Sequence, residues 1–176
     1  MTAISEELGG PQATIAGPAL DLDLYFQQMS ERTQMLKSYW DARKGVADEL
    51  PCICDIELMD IYEIAPYIAL VDLAAKDSGF KNRYWGGELT WRFAFEGTGK
   101  PIQDYLPPCF GQKLIDCFRD VMRTEQPQWQ KAMQVRGRYN AYIPVEVLHL
   151  PVRGKDRAGV QHVLSIFDFA SESVSR

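Results

Sequence analysis

The side chains best equipped for chemistry in this sequence are few and scattered. The two histidines, His149 and His162, both fall in strand-like runs near the C-terminal end. Either could reach a haem or a metal. A histidine in such a strand is more often an ordinary imidazole, hydrogen-bonded or turned to solvent, because haem ligation needs an apolar cavity aimed at the ring. Serine, histidine and aspartate are all present, but no G-x-S-x-G elbow, H-E-x-x-H pair or Walker lysine motif occurs. The closest cysteine spacing is Cys52-Ile53-Cys54, with Cys109 and Cys117 at or inside an apolar helical pattern. A zinc site would need two further ligands, and the neighbours on offer are Asp55 and Glu57. The cysteines therefore read as small free thiols of a reducing compartment. No catalytic residue and no metal-ligand set is assigned.

Gly97-Thr98-Gly99-Lys100 is too short for a phosphate loop and lacks its trailing Lys-Ser/Thr, so it reads as a helix-ending turn. A flavin-type cysteine helix is also absent, since Phe110-Gly111-Gln112 after Cys109 does not reproduce one. The residues that could line a binding cavity are instead Arg83, Trp85, Trp91, Phe95 and Phe110. Aromatic lining with few charges suits a small, mostly apolar ligand. Arg83 would stand at the polar edge and clamp a carboxylate or phosphate. Its alternative role is an ion pair, to Asp72 or Glu88, or stacking on a ring.

Composition narrows the class. A chain of 176 residues is the usual size for one domain and can bury a core without staples. Its formal net charge of −5 leaves no broad basic field for nucleic acid or anionic lipid. No apolar run approaches the roughly 20 residues that span a bilayer, and no basic-then-apolar leader stands at the start. The expected location is the cytoplasm.

The elements that must position these side chains follow from periodicity. Residues 1–20 carry no sustained period and are expected to be flexible. From Asp21, a capping residue, Leu22, Phe26, Met29, Thr33, Leu36 and Trp40 recur at steps of three and four. This predicts one helix of about six turns, from Leu22 to Lys44, with Gln27, Glu31, Gln34, Lys37 and Asp41 on its wet face. After Leu50-Pro51, Asp55 to Ile64 is either a short amphipathic helix or an extended connector, the helix being the preferred reading. Residues 21–65 thus form an N-terminal helix and connector, 66–170 the main domain and 171–176 a tail. Strands are expected at Tyr67 to Leu73 and Phe80 to Trp85, joined by a turn at Lys76-Asp77-Ser78-Gly79. Glu88 to Phe95 is ambiguous by period alone. A second helix carries Phe110, Leu114, Phe118 and Val121, and three strands follow at Gln128 to Tyr139, Ile143 to Leu150 and Gly159 to Phe169. Short turns between consecutive strands imply an antiparallel sheet.

Two strands, a helical middle and three further strands are the layout of a PAS domain, an α+β fold in which a five-stranded antiparallel sheet carries helices on one face. The stretch from Leu36 to Phe169 resembles the PAS family of small stand-alone proteins in alphaproteobacteria, formerly a domain of unknown function. The resemblance rests on Tyr39-Trp40, Arg43, Leu50-Pro51, Asp55-Ile56, Arg83-Tyr84-Trp85-Gly86, Gly97-Thr98-Gly99 and Leu150-Pro151, in that order. The family often has an Arg two residues after the first Pro and a Pro after the Asp-Ile step, where this chain has Ile53 and Leu58. The resemblance implies that Glu88 to Phe95 is a helix.

It also implies a non-enzymatic sensor or interaction module, with output through helices flanking the sheet. The expected partners are a second copy of the chain, a regulatory protein and a small ligand. No particular cofactor is indicated, and the alternative is a haem or small-molecule carrier using the same cavity. Because the N-terminal helix is long for capping a sheet alone, Leu22, Phe26, Met29, Leu36 and Trp40 are expected at a dimer interface. With few residues after Phe169, no fused output domain is expected downstream.

Overall fold

In the central strands the apolar side chains do not alternate with polar ones. All eight residues from His162 to Phe169 are buried. A strand buried along its whole length needs cover on both faces of its sheet. The computed structural model describes residues 21–73, 79–104, 108–136, 142–156 and 158–169, and for 108–110, 132, 134, 136 and 142 the backbone alone. It contains strands β1 (Ile68–Leu73), β2 (Phe80–Trp85), β3 (Gln128–Arg136), β4 (Tyr142–Arg153) and β5 (Val160–Phe169). They form one five-stranded antiparallel sheet in the order β2-β1-β5-β4-β3. Helices α3 (Gly87–Phe93) and α4 (Pro108–Thr124) lie between β2 and β3 in the chain, and α1 (Leu22–Tyr25) and α2 (Glu31–Ala42) precede the sheet.

Two cores result, one on each face. The inner core joins Val71, Phe80, Trp85, Val147, Val163 and Phe167 of the sheet to Leu89 of α3 and Leu114, Phe118 and Val121 of α4. The outer core joins Ile68, Leu70, Leu148, Leu150, Leu164 and Ile166 to Leu22, Met29, Leu36 and Trp40. The α+β sheet order is that of the expected PAS layout. The sheet is covered on both faces rather than one, and the N-terminal elements make the second layer.

The single helix expected from Leu22 to Lys44 is broken in the middle. Phe26–Gln28 tightens into a 3₁₀ turn, and Ser30 starts a new helix, its hydroxyl accepting from Thr33 N at 3.2 Å. The Gln34 side chain takes up the carbonyls of Phe26 and Met29, both at 3.0 Å. A serine offering its own cap competes with continued helix. The break lets Met29 turn inward, and it buries Lys37, which the periodicity placed in water. The Lys37 ammonium bonds to Asp23 and Asp41. The preferred helix over the connector is likewise replaced by 3₁₀ turns at Ile53–Asp55, Leu58–Ile61 and Ala65–Tyr67. Of the residues assigned to a subunit seam, Leu22, Met29, Leu36 and Trp40 are buried within this chain and Phe26 is half-buried against the same cluster. Burying such a side chain contributes roughly 1.5–3 kcal/mol, so the layer stabilises its own sheet.

The strands otherwise fall close to expectation: β2 matches, β1 starts one residue later, and β4 runs on through Pro151 to Arg153. The segment expected to be ambiguous is α3, a helix. The turn at residues 76–78, the tails at 1–20 and 171–176, and the strand end at 137–139 lie outside the described residues.

The short motifs act as joints. Trp40 Nε1 donates to Pro151 O at 2.9 Å, which pins α2 to the end of β4. Arg43 lies over the Tyr39 ring at 4.6 Å, donates from Nε to Asp55 O at 3.1 Å and pairs with Asp60. Arg153 N donates to Pro51 O at 2.8 Å, so the Leu50-Pro51 step runs beside β4. Gly86 has no room for a side chain: a Cβ there would sit 2.1 Å from Pro66 O, whereas one at Gly87 would meet nothing within 4 Å. Gly86→Ala is therefore expected to destabilise the protein by about 1–3 kcal/mol, the usual cost of overpacking, because the clash is with backbone. Gly87→Ala should be neutral or slightly stabilising at its helical position. Urea unfolding midpoints of the two variants check this contrast.

Candidate functional site

The inner layer holds one polar feature of interest. His149 on β4 and Ser165 on β5 are register partners, and both are fully buried. Strand alternation puts them on the inner face, because their neighbours Leu148, Leu150, Leu164 and Ile166 occupy the outer core. His149 Nδ1 and Ser165 Oγ are 2.7 Å apart, a hydrogen bond in which the hydroxyl can give or take the proton. The other ring nitrogen, Nε2, is buried and has no hydrogen-bond partner among the described residues. Around it the Phe118 ring stands edge-on at 5.1 Å and 87°, and the Phe167 ring at 6.0 Å and 76°. Phe80 meets Phe118 in turn at 5.4 Å.

The surroundings decide the charge of this imidazole. Burial pushes its pKa down to about 3, because a desolvated ring holds a proton poorly. A neutral ring with one nitrogen satisfied and one unsatisfied carries a desolvation cost of about 1–3 kcal/mol. An unpaired buried polar atom of this kind calls for an explanation, such as strain, function or a bound group.

Only one of the expected cavity residues faces this layer with a described side chain. Trp85 belongs to the inner core, packs on Phe93 at 5.7 Å and donates Nε1–H to Phe95 O at 3.1 Å. Trp91 is 48% exposed on α3, beside Arg92. Phe95 is half-buried in the following loop, under Lys100 Nζ at 4.1 Å. Phe110 lies in α4, its side chain outside the described residues. Arg83 lies on the outer face. In β2, Val71 faces Asn82 and Leu70 faces Tyr84, so Arg83 is the extra residue of a bulge. The extra residue turns two consecutive side chains, Arg83 and Tyr84, to the same face.

There Arg83 takes the first of its two sequence-based alternatives, with Nε 2.9 and 3.0 Å from the two oxygens of Asp72. His162, the cross-strand neighbour of Asp72, adds Nδ1 at 2.7 Å from Oδ1. Burial works against the Asp72 carboxylate, but the bonds from His162 and Arg83 outweigh it and hold its pKa below the usual range. Beside this trio an open groove of about 300 Å³ is lined by Ile53, Ile56, Leu58, Leu70, Arg83 and Tyr84, among others. The Gly97-Thr98-Gly99 turn sits over the inner end of β2. Asn82 Nδ2 donates to Gly97 O at 3.2 Å, Gly99 N donates to Asn82 O at 2.8 Å, and a Cβ at Gly97 would strike the Trp85 ring at 2.9 Å. Among the described residues no group of three or more His, Cys, Asp or Glu is placed to hold a metal ion, and no helix is long and apolar enough to cross a membrane.

On sequence alone His149 is no more than a general ligand candidate. The signal that could have singled it out is its position between Leu148 and Leu150. A polar residue alternating with leucines in a strand covered on both faces must point into the opposite core.

No family model and no curated protein matches the chain. Among solved structures it is similar to the Cycle PAS-B domain of Drosophila melanogaster with bound ethylene glycol, at 12% identity and TM-score 0.44, covering 58% of this chain and 98% of that one. It is similar to a sensory box sensor histidine kinase from Vibrio cholerae at 13% identity and TM-score 0.46, covering 64% and 91%. A fungal LOV domain photoreceptor matches at 12% identity and TM-score 0.42, covering 67% and 94%. The fold assignment rests on the sheet order itself.

The depressed His149 pKa has a definite consequence for stability. An unfolded chain binds a proton at this ring near pH 6.5 and the folded chain does so only near 3. Stability from this group is therefore complete above about pH 6.5 and is lost as pH falls toward 3. Between about pH 5.5 and 6.5, above the range in which ordinary carboxylates titrate, His149→Phe combined with Ser165→Ala should flatten the pH dependence of the urea midpoint relative to the parent. An unchanged slope would mean that His149 takes up its proton as readily in the folded chain as in the unfolded one.

Proposed function

We propose that the chain is a non-enzymatic, PAS-type sensor or interaction module whose responsive element is the His149–Ser165 pair. The observation that carries this reading is the unsatisfied His149 Nε2 in an otherwise apolar, aromatic inner layer. A small neutral molecule with an apolar body and one hydrogen-bonding group would relieve that atom and match the rings around it. Arg83, the cation expected at the cavity edge, is paired with Asp72 on the opposite face and does not serve this place.

The same strands would carry the response outward. Leu148 and Leu150 flank His149 and belong to the outer core with Leu36 and Trp40, and Trp40 is bonded to Pro151. A shift of His149 along β4 would therefore load α2. Output through a second copy or a regulatory protein belongs to this proposal. The apolar residues available for it on the outer layer are Leu24, Val46, Met59 and Tyr62, which are exposed, rather than the stripe already buried against the sheet.

The test is to follow the ring nitrogens of His149 by NMR while a panel of small neutral phenols and alcohols is added, beside native mass spectrometry of the protein as purified. Binding should shift the Nε2 resonance and be lost in His149→Phe. A bound molecule that leaves the His149 resonances unmoved and perturbs Tyr84 and Leu70 instead would place recognition in the outer groove and refute this assignment.

A further inference from the structure

Cys52 and Cys54 are set up differently from isolated thiols. Cys52 is buried, and its sulfur lies over the start of the 3₁₀ turn Ile53–Asp55, where it accepts the Cys54 N–H at 3.3 Å. Its own S–H donates to Gly154 O at 3.4 Å. Cys54, two residues on, is exposed. The Cys54 thiol lies above its ordinary pKa, with the neighbouring Cys52 side chain the leading cause and Lys155 pulling the other way. One sulfur is open to a reagent in solvent and the other is sheltered two residues away, bonded to the Cys54 amide.

The pair also occupies a mechanical position. Arg153 N donates to Pro51 O at 2.8 Å, and Cys52 bridges Arg153 in parallel fashion. These contacts clamp the connector to the end of β4. Ile53 and Ile56, just beyond, line the outer groove.

We propose that Cys52 and Cys54 form a reversible disulfide when the protein meets a low-molecular-weight disulfide such as that of a thiol tripeptide, and that oxidation loosens the connector from β4. The Cys54 thiol loses its proton to solvent, and the thiolate attacks one sulfur of the reagent. The reagent S–S bond breaks, and one thiolate leaves and takes up a proton. Cys52 then loses its proton, attacks the Cys54 sulfur of the mixed disulfide and expels the second reagent thiolate, which is protonated in turn. The protein dithiol is oxidised by two electrons and the reagent is reduced to two thiols. Cys52 thereby loses the hydrogen it gave to Gly154 O, and its sulfur must leave the Cys54 amide. This inference is independent of any ligand in the inner layer.

The experiment uses the full chain with glutathione disulfide, quenched in acid, alkylated and digested with trypsin. The peptide from Gly45 to Lys76 holds both residues, and Cys109 and Cys117 fall outside it as internal references. That peptide should become lighter by two hydrogens, resist alkylation and recover with reductant. Cys52→Ser should stop at a glutathione adduct on Cys54. Hydrogen exchange at the Arg153 amide should be faster in the oxidised protein. A wild-type protein that keeps a stable adduct on Cys54, or in which both cysteines still alkylate, overturns the disulfide. Unchanged protection at Arg153 overturns the loosening.

Discussion

The sheet has apolar side chains on both faces of its central strands, and no arrangement of helices on one side can keep them all from water. Leu148, Leu150, Leu164 and Ile166 point one way and Val147, Val163 and Phe167 the other. The inner layer of α3 and α4 answers the second set. The first is answered by the N-terminal segment of α1, α2 and 3₁₀ turns, tied down by a few polar bonds. Ser30 N reaches both oxygens of Glu146 at 3.1 and 3.2 Å, Arg32 pairs with Asp168 at 2.7 Å, and Trp40 holds Pro151. These bonds fix where the segment lies, and the apolar contacts beneath them supply most of the stabilisation.

Within that frame, the polar side chains that are free to serve a purpose are those the frame does not consume. Tyr39, Trp40, Arg43, Gly86 and Gly97 all join one element to another. His149 is different. Its hydrogen bond to Ser165 could have been replaced by an apolar pair of the same shape at no loss, and its second nitrogen carries a cost that nothing described in the fold repays. The contrast with His162 is instructive, since that ring faces the outer layer, where Asp72 and Arg83 complete its surroundings.

The bulge at Arg83 separates the two faces chemically. Without the extra residue, a two-residue period would place Arg83 and Trp85 on one side, and a cationic group would enter the aromatic layer. With it, the Arg83 charge goes to the outer groove and away from Trp85. The same outer groove is bordered by the connector that bears Cys52 and Cys54, so the redox chemistry and the ion-pair trio lie on one side of the sheet while His149 lies on the other.

Much of the fold was legible in the chain alone. Strand period, the turn residues and the Leu114, Phe118 and Val121 stripe determined an antiparallel α+β sheet with a packed helix, because burial of apolar faces at fixed spacing leaves few alternatives. The ordered motifs pointed to α3 where period was silent. Tertiary structure decided the rest. Periodicity cannot see that Ser30 caps a new helix, because a cap and a helical interior serine look alike until neighbours fix the backbone. It cannot see that Leu22, Leu36 and Trp40 are used up inside the chain, since an apolar stripe does not name what covers it. The bulge that parted Arg83 from Trp85, and the face on which His149 is stranded, depend on strand register. Register is set by contacts between residues far apart in sequence.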